Sequence, residues 1–304
     1  MATGSSGPGG SAGDGDLCLD RMLIAEVGAN PQRLAAAIHA QLGDVPGPVP
    51  IAAIAHALDI VEIRVEPMPN IEGALLTTPE RSSGKILLNA RSSSRRRRFT
   101  LGHELGHFLN DWHRPTSPGG FQCSRADMIE TDSASKNRHR RQEAEANRFA
   151  IELLAPRAKT KQYLRGAADL RHVLAMADAF DISRAAAARR YVELHGDALA
   201  VVFSRNNRFL YADRTQGFPN LCLGRGPAVP RLPSGDAAGS LSVAEEMDSE
   251  DWLAASRVAS LQVQTLHQKE GYAISLLRID AVPDDDEGDG LDDAYDRFER
   301  FKSR

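Results

Sequence analysis

The chain has 304 residues, 42% of them hydrophobic, and a formal net charge of −4, which is ample for one or two packed cores and excludes nucleic-acid binding driven by overall charge. No run approaches the roughly 18–20 continuous apolar residues of a membrane-spanning helix, so no membrane partner is expected. Three scattered cysteines, Cys18, Cys123 and Cys222, make no disulfide framework, and a cytoplasmic setting follows.

Residues 1–16 are rich in Gly, Ser and Ala, lack the basic and apolar stretches of a secretory signal, and read as a disordered leader. Asn30-Pro31 predicts a helix cap followed by proline in the first turn, with Leu34, Ala37, Ile38 and Leu42 on one face. A short helix over 51–58 and strands over 60–65, 72–77 and 85–89 come next, the last two forming a hairpin around Pro79 and Ser82-Ser83-Gly84. Ser92 to Ser94 cap a helix over 95–110 that opens on four consecutive arginines. The polar stretch 111–137, with Pro115 and Ser117-Pro118-Gly119-Gly120, reads as a loop. A helix over 140–154 stops at Pro156. Residues 158–195 are helical again, turning at Asp181-Ile182-Ser183 with Ser183 as a cap. Beyond Gly196 the texture becomes β-rich, with one hairpin around Asn206-Asn207 and another around Glu270-Gly271. Trp252 reads as an aromatic anchor on an acidic surface, and residues 283–304 as an acidic, disordered tail.

The chemistry is concentrated in Phe99-Thr100-Leu101-Gly102-His103-Glu104-Leu105-Gly106-His107. His103 and His107 lie one helical turn apart, so both imidazoles reach one ion, while Glu104 stands beside the ion where a general base for water belongs. Gly102 and Gly106 each cost a helix interior about 1 kcal/mol relative to Ala, which implies that something approaches this helix closely. A third ligand comes from the next helix. Ala146, Ala150, Leu153 and Leu154 form its buried stripe and Glu143 extends it, whereas Glu145 falls with Arg148 and Glu152 on a charged face. A buried carboxylate needs a compensating partner, and a metal is one. Glu143 is therefore preferred as the ligand, with Asn147 one turn on as a hydrogen-bond partner for a ligating histidine. Two histidines and a glutamate around one zinc ion per chain leave the fourth position to water, as in a catalytic site. The strand hairpin reads first as an ordinary structural sheet, with strand addition of an extended peptide at an exposed edge as the alternative. His113, His139, Tyr163 and His172 are all open as stabilisers of the developing oxyanion. Cys123 reads as a small semi-buried residue, with a redox-sensitive thiol or an inhibitory zinc ligand as the alternative.

The run from Arg98 to His107, followed by Glu143-Ala144-Glu145-Ala146-Asn147-Arg148-Phe149-Ala150 and on to Pro156, resembles the ImmA/IrrE family of metallopeptidases. The resemblance covers about residues 50–195 and implies zinc ligation by His103, His107 and Glu143, with Glu104 as catalytic base. It also implies cleavage of a helix-turn-helix repressor protein, releasing stress-response or mobile-element genes. The β-rich region resembles the sensor-like (GAF-like) domain of some members. The expected fold is thus α+β. A mainly helical zincin-like peptidase domain with a small antiparallel sheet spans 17–157, a helix-turn-helix-like segment 158–196, and a β-rich domain 197–282. A competing reading makes the segment 168–195 a DNA-binding helix-turn-helix, with Arg184, Arg189 and Arg190 facing the nucleic acid.

Overall fold

The computed structural model describes residues 17–115, 120–130, 132–224, 227–235, 237–254 and 260–279. The expected leader and acidic tail lie outside them. Chain contacts divide the protein into two units, one ending at Leu194 and the other starting at His195. No helix among the described residues is long and apolar enough to cross a membrane.

The first unit contains helices α1 (Arg21–Ala25), α2 (Pro31–Leu42), α3 (Ile51–Ala57), α4 (Ser94–Leu109), α5 (Arg138–Leu154), α6 (Arg157–Thr160), α7 (Leu170–Ala179) and α8 (Arg184–Leu194). The long helices begin at side-chain caps: Asn30 accepts from the Arg33 amide, Ser93 from Arg96 and Asn137 from Arg140. Each cap satisfies a backbone N–H that the helix itself leaves unpaired. Between the helices lie β1 (Ile60–Glu66), β2 (Gly73–Thr77), β3 (Gly84–Asn89) and β4 (Gly120–Cys123), in the order β1-β3-β2-β4.

Two features correct the sequence reading. The sheet is mixed, not antiparallel: the β2–β3 hairpin returns with its second strand beside β1, and β1 and β3 run parallel. The stretch 111–137 is not all loop, because Gly120–Cys123 adds antiparallel to the other side of β2. Four residues behind a proline- and glycine-rich stretch are too few for a period of two to stand out.

Helix α4 packs on β2, β3 and α5. The two glycines of α4 explain how close α5 comes. A Cβ on Gly102 would stand 3.3 Å from the Ala150 Cβ, and one on Gly106 would stand 3.0 Å from the Phe149 ring and 3.3 Å from the Ala146 Cα. A small-residue seam of Gly102 and Gly106 against Ala146 and Ala150 therefore sets the helix spacing. Beyond α4 the chain is pinned by buried Arg81, whose guanidinium donates to the carbonyls of His107 (2.8 Å), Asn110 and His113 (2.5 Å). It satisfies carbonyls that the helix end leaves unpaired.

The second unit is an antiparallel sheet of β5 (Leu199–Arg205), β6 (Arg208–Arg214), β7 (Glu245–Met247), β8 (Leu261–His267) and β9 (Tyr272–Ile279), ordered β6-β5-β9-β8-β7. Asn206 and Asn207 turn between β5 and β6 with φ of 49° and 58°, the positive values that a two-residue hairpin turn requires. Its core gathers Ala200, Val202, Phe218, Trp252, Val263 and Leu277. Trp252, read from the sequence as an aromatic anchor, is only 1% exposed. Among the described residues this unit holds no α-helix.

Candidate metal centre

His103 and His107 stand one turn apart on α4, both fully buried, with their Nε2 atoms 3.0 Å apart. Glu143 enters from α5 across the small-residue seam. Its Oε2 is 3.1 Å from the His103 Nε2 and its Oε1 is 3.5 Å from the His107 Nε2. Cys123, at the end of β4, brings its Sγ to 3.7 Å from the His107 Nε2. One ligand atom from each of these four buried residues lies within 4.8 Å of the other three. The Glu143 Oε1 has no hydrogen-bond partner, nor does either carboxylate oxygen of Glu104. Buried lone pairs converging on one point are costly without a cation between them, so the donor set suits a metal ion.

The outward nitrogens of both histidines are fixed by partners that leave each Nε2 lone pair free for that ion. The His103 Nδ1 donates to the Asn147 Oδ1 at 2.8 Å, and the Asn147 amide is held in that sense by donating to the carbonyls of Asp127 (2.7 Å) and Glu130 (2.9 Å). The His107 Nδ1 meets the His113 Nδ1 at 2.9 Å, and the His113 Nε2 lies 3.3 Å from the Glu145 Oε2. Donation from His107 to His113, and from His113 to Glu145, satisfies both contacts with neutral rings. The same Glu145 oxygen accepts from the Trp112 Nε1 at 3.1 Å.

Electrostatics follow from burial and pairing. Burial opposes charge on His103, yet the Glu143 carboxylate outweighs it and holds this imidazole above its ordinary pKa. Burial would raise Glu143, but His103 and His107 hold it well below the usual carboxylate range. Burial drives both His107 and His113 down to about 3, which keeps their rings neutral. Burial also pushes the Glu104 carboxyl up to about 7, against the pull of His103 and the nearby Cys123 thiol. Burial and the neighbouring carboxylates raise the Cys123 thiol well above its ordinary value.

The four residues picked out as ligands and base, His103, Glu104, His107 and Glu143, come together, and Asn147 holds His103 as expected. Of the four open oxyanion candidates, His113 stands behind His107. His139, half-exposed, spans the Glu143 Oε1 (3.4 Å) and the Asp127 Oδ1 (3.2 Å). His172 and Tyr163 are engaged with Tyr191 and Phe180 instead. Three expectations change. Glu145 is not a surface ion-pairing residue but the anchor of the His113–His107 chain. Glu152 keeps its expected i, i+4 contact with Arg148 at 3.7 Å but is buried, with Arg190 as its main partner at 2.6 and 3.1 Å. Arg190 is 1% exposed and also donates to the Ala155 carbonyl, so it offers nothing to a nucleic acid.

No curated protein matches the chain. Among solved structures, a Mycobacterium tuberculosis transcriptional regulator is similar, with a TM-score of 0.50 at 12% identity over 85% of this chain and 92% of that one. At that identity the likeness is one of fold alone. Residues 59–191, which include the whole buried cluster, match the family model described as the IrrE N-terminal-like domain. This match identifies the segment 59–191 as a metallopeptidase domain of the ImmA/IrrE type.

Proposed function

We propose that the first unit is a zinc-dependent endopeptidase in which His103, His107 and Glu143 hold one zinc ion and Glu104 is the general base. The observation that carries this reading is the convergence of these buried donors, with Glu104 beside them and both its oxygens unpartnered. A bound zinc ion supplies Lewis-acid polarisation of the scissile carbonyl and makes water a better nucleophile at neutral pH. The protein does the rest. Glu104 accepts the proton of the attacking water on a carboxylate oxygen and delivers it to the nitrogen of the leaving amine. Asn147 fixes the tautomer of His103, and the His113–Glu145 pair fixes that of His107. Removing such a partner characteristically weakens metal binding about 10- to 100-fold, and that loss is expected for His113→Ala in competition with a chromophoric chelator. Unchanged affinity would mean that His113 only fills space.

The substrate is proposed to be a helix-turn-helix repressor, cut once to release stress-response or mobile-element genes in the cytoplasm. Support comes from the family to which the domain belongs. Direct reading of DNA by α8 is disfavoured because Arg190, one of its three candidate contacts, is consumed inside the fold. The test is incubation of the zinc-loaded chain with a helix-turn-helix repressor encoded beside it. One new amino terminus in the repressor, absent when a chelator is added, is expected. Intact repressor with demonstrably loaded enzyme would exclude that substrate.

A further inference from the structure

β4 occupies the place that an incoming peptide would need. It pairs antiparallel with β2, the strand packed on α4, in the register Gly73 with Cys123, Leu75 with Phe121 and Leu76 with Gly120. The Glu72 amide adds a hydrogen bond to the Cys123 carbonyl at 2.9 Å. This register lies directly over the general base, for a Cβ on Gly73 would stand 2.6 Å from the Glu104 Oε1. Alternation along β4 sends Phe121 and Cys123 inward while Gln122 stays exposed. The Phe121 ring stacks on His107 with centroids 4.5 Å apart, and both Phe121 and Cys123 are buried to within 1%.

The surroundings of Cys123 are not those of a small apolar residue filling a gap. Its sulfur shares a buried space with two histidine nitrogens and the Glu143 carboxylate, whose Oε1 has no hydrogen-bond partner, and the buried Glu104 carboxyl is close by. Two nitrogens, one oxygen and one sulfur make a complete tetrahedral set for zinc. Zinc sites with four protein ligands are closed, whereas catalytic ones keep one position open.

We propose that Cys123 is a fourth ligand to the metal ion, and that β4 is an intrachain stand-in for substrate on β2, so that the domain rests in a latent form. The proposal rests on the zinc-peptidase reading. The thiol gives up its proton to solvent as the sulfur–metal bond forms. When an extended segment of the substrate displaces β4 from β2, that bond breaks, the sulfur takes up a proton from solvent, and the fourth position opens to water. No oxidant or reductant is involved. Displacement uses the ordinary chemistry of strand addition, in which main-chain hydrogen bonds to β2 are exchanged one set for another.

The experiment compares the full-length wild type with Cys123→Ser and Gly120→Ala after loading with cobalt(II) or zinc. Gly120→Ala keeps the thiol but loosens the strand, because a Cβ there would overlap the Leu75 carbonyl oxygen. The wild type is expected to bind one cobalt ion and show a near-ultraviolet thiolate-to-cobalt charge-transfer band. That band is lost in Cys123→Ser and weakened in Gly120→Ala. Iodoacetamide labelling, mapped to Cys123 by mass spectrometry, should be at least about tenfold slower in zinc-loaded wild type than in zinc-loaded Gly120→Ala, because thiol access and pairing control reactivity. Exposed Cys18 and Cys222 serve as internal references. Metal-loaded wild type without the band, and with Cys123 labelled as fast as in Gly120→Ala, overturns the proposal and leaves the peptidase reading standing. Wild type that binds no metal overturns both. If Cys123→Ser fails to fold, the wild-type band and the labelling comparison still decide.

Discussion

Replacing Glu104 by glutamine is expected to lower kcat/KM about 100- to 10,000-fold while leaving the metal content unchanged, the range that a general base contributes. The substitution keeps the shape of the side chain and removes only its capacity to take a proton. It should also raise the thermal midpoint, because the native carboxyl is fully buried with both oxygens unpartnered, an arrangement that costs stability. Burial has already pushed this carboxyl up to about 7, a sign of the same cost. Loss of activity together with a gain in stability marks a group retained for chemistry. Loss of activity with loss of zinc would instead make Glu104 a ligand.

The second large effect concerns stability. Glu152→Ala is expected to cost about 3–5 kcal/mol in urea unfolding, because it strands a buried guanidinium. The Arg190 side chain is fully buried, and Glu152 is its bidentate partner, with Glu193 adding a contact at 3.1 Å. A double replacement, Glu152→Leu with Arg190→Met, should recover most of the loss, since it removes both charges together. The pH dependence has a definite sign. Burial opposes ionisation of Glu152, but Arg190, Arg157 and Arg148 prevail and hold its carboxyl below its ordinary value of 4.5. Its contribution is therefore complete at neutral pH and disappears as the pH falls from about 4.5 through the lower folded value. The gap between wild type and Glu152→Gln should narrow over that acid range. A neutral-pH loss for Glu152→Ala below about 1 kcal/mol would place the pair at the solvent-exposed level and contradict this assignment.

What was legible in the sequence was whatever repeats locally. The i, i+4 pair of histidines, the stripe running from Glu143 through Ala146, Ala150 and Leu153, and the capping residues Asn30 and Ser183 all declare themselves within a few positions. So does the Asn206-Asn207 turn. The misread residues are those whose partners are distant in the chain. Glu145 and Glu152 share the spacing of an ordinary charged face with Arg148, and periodicity has no means of showing that one meets Trp112 and His113 and the other Arg190. Glu145 left a usable trace, since His107, Trp112 and His113 crowd into the seven positions 107–113 at the end of the motif, more ring nitrogens than a solvated loop requires. β4 was hidden because its partner is β2, across the whole length of α4. Its trace is the apolar alternation of Phe121 and Cys123, directly after a glycine that no larger residue could replace against the Leu75 carbonyl.

The seam between α4 and α5 ties fold to chemistry. Gly102 and Gly106 let α5 approach closely enough for Glu143 to stand beneath His103 and His107, so the helix cost of two glycines is offset by a three-residue donor set that neither helix holds alone. Bulk introduced on that seam would separate the ligands without altering any of them.

The most direct test of the metal centre is the metal content of the purified chain beside that of Glu143→Gln. The donor set predicts about one zinc ion per chain in the wild type and a sharp fall in the variant, with both proteins still folded by circular dichroism. A wild-type chain that stays free of metal when zinc is supplied, or a variant that binds zinc as tightly as the wild type, would contradict the assignment.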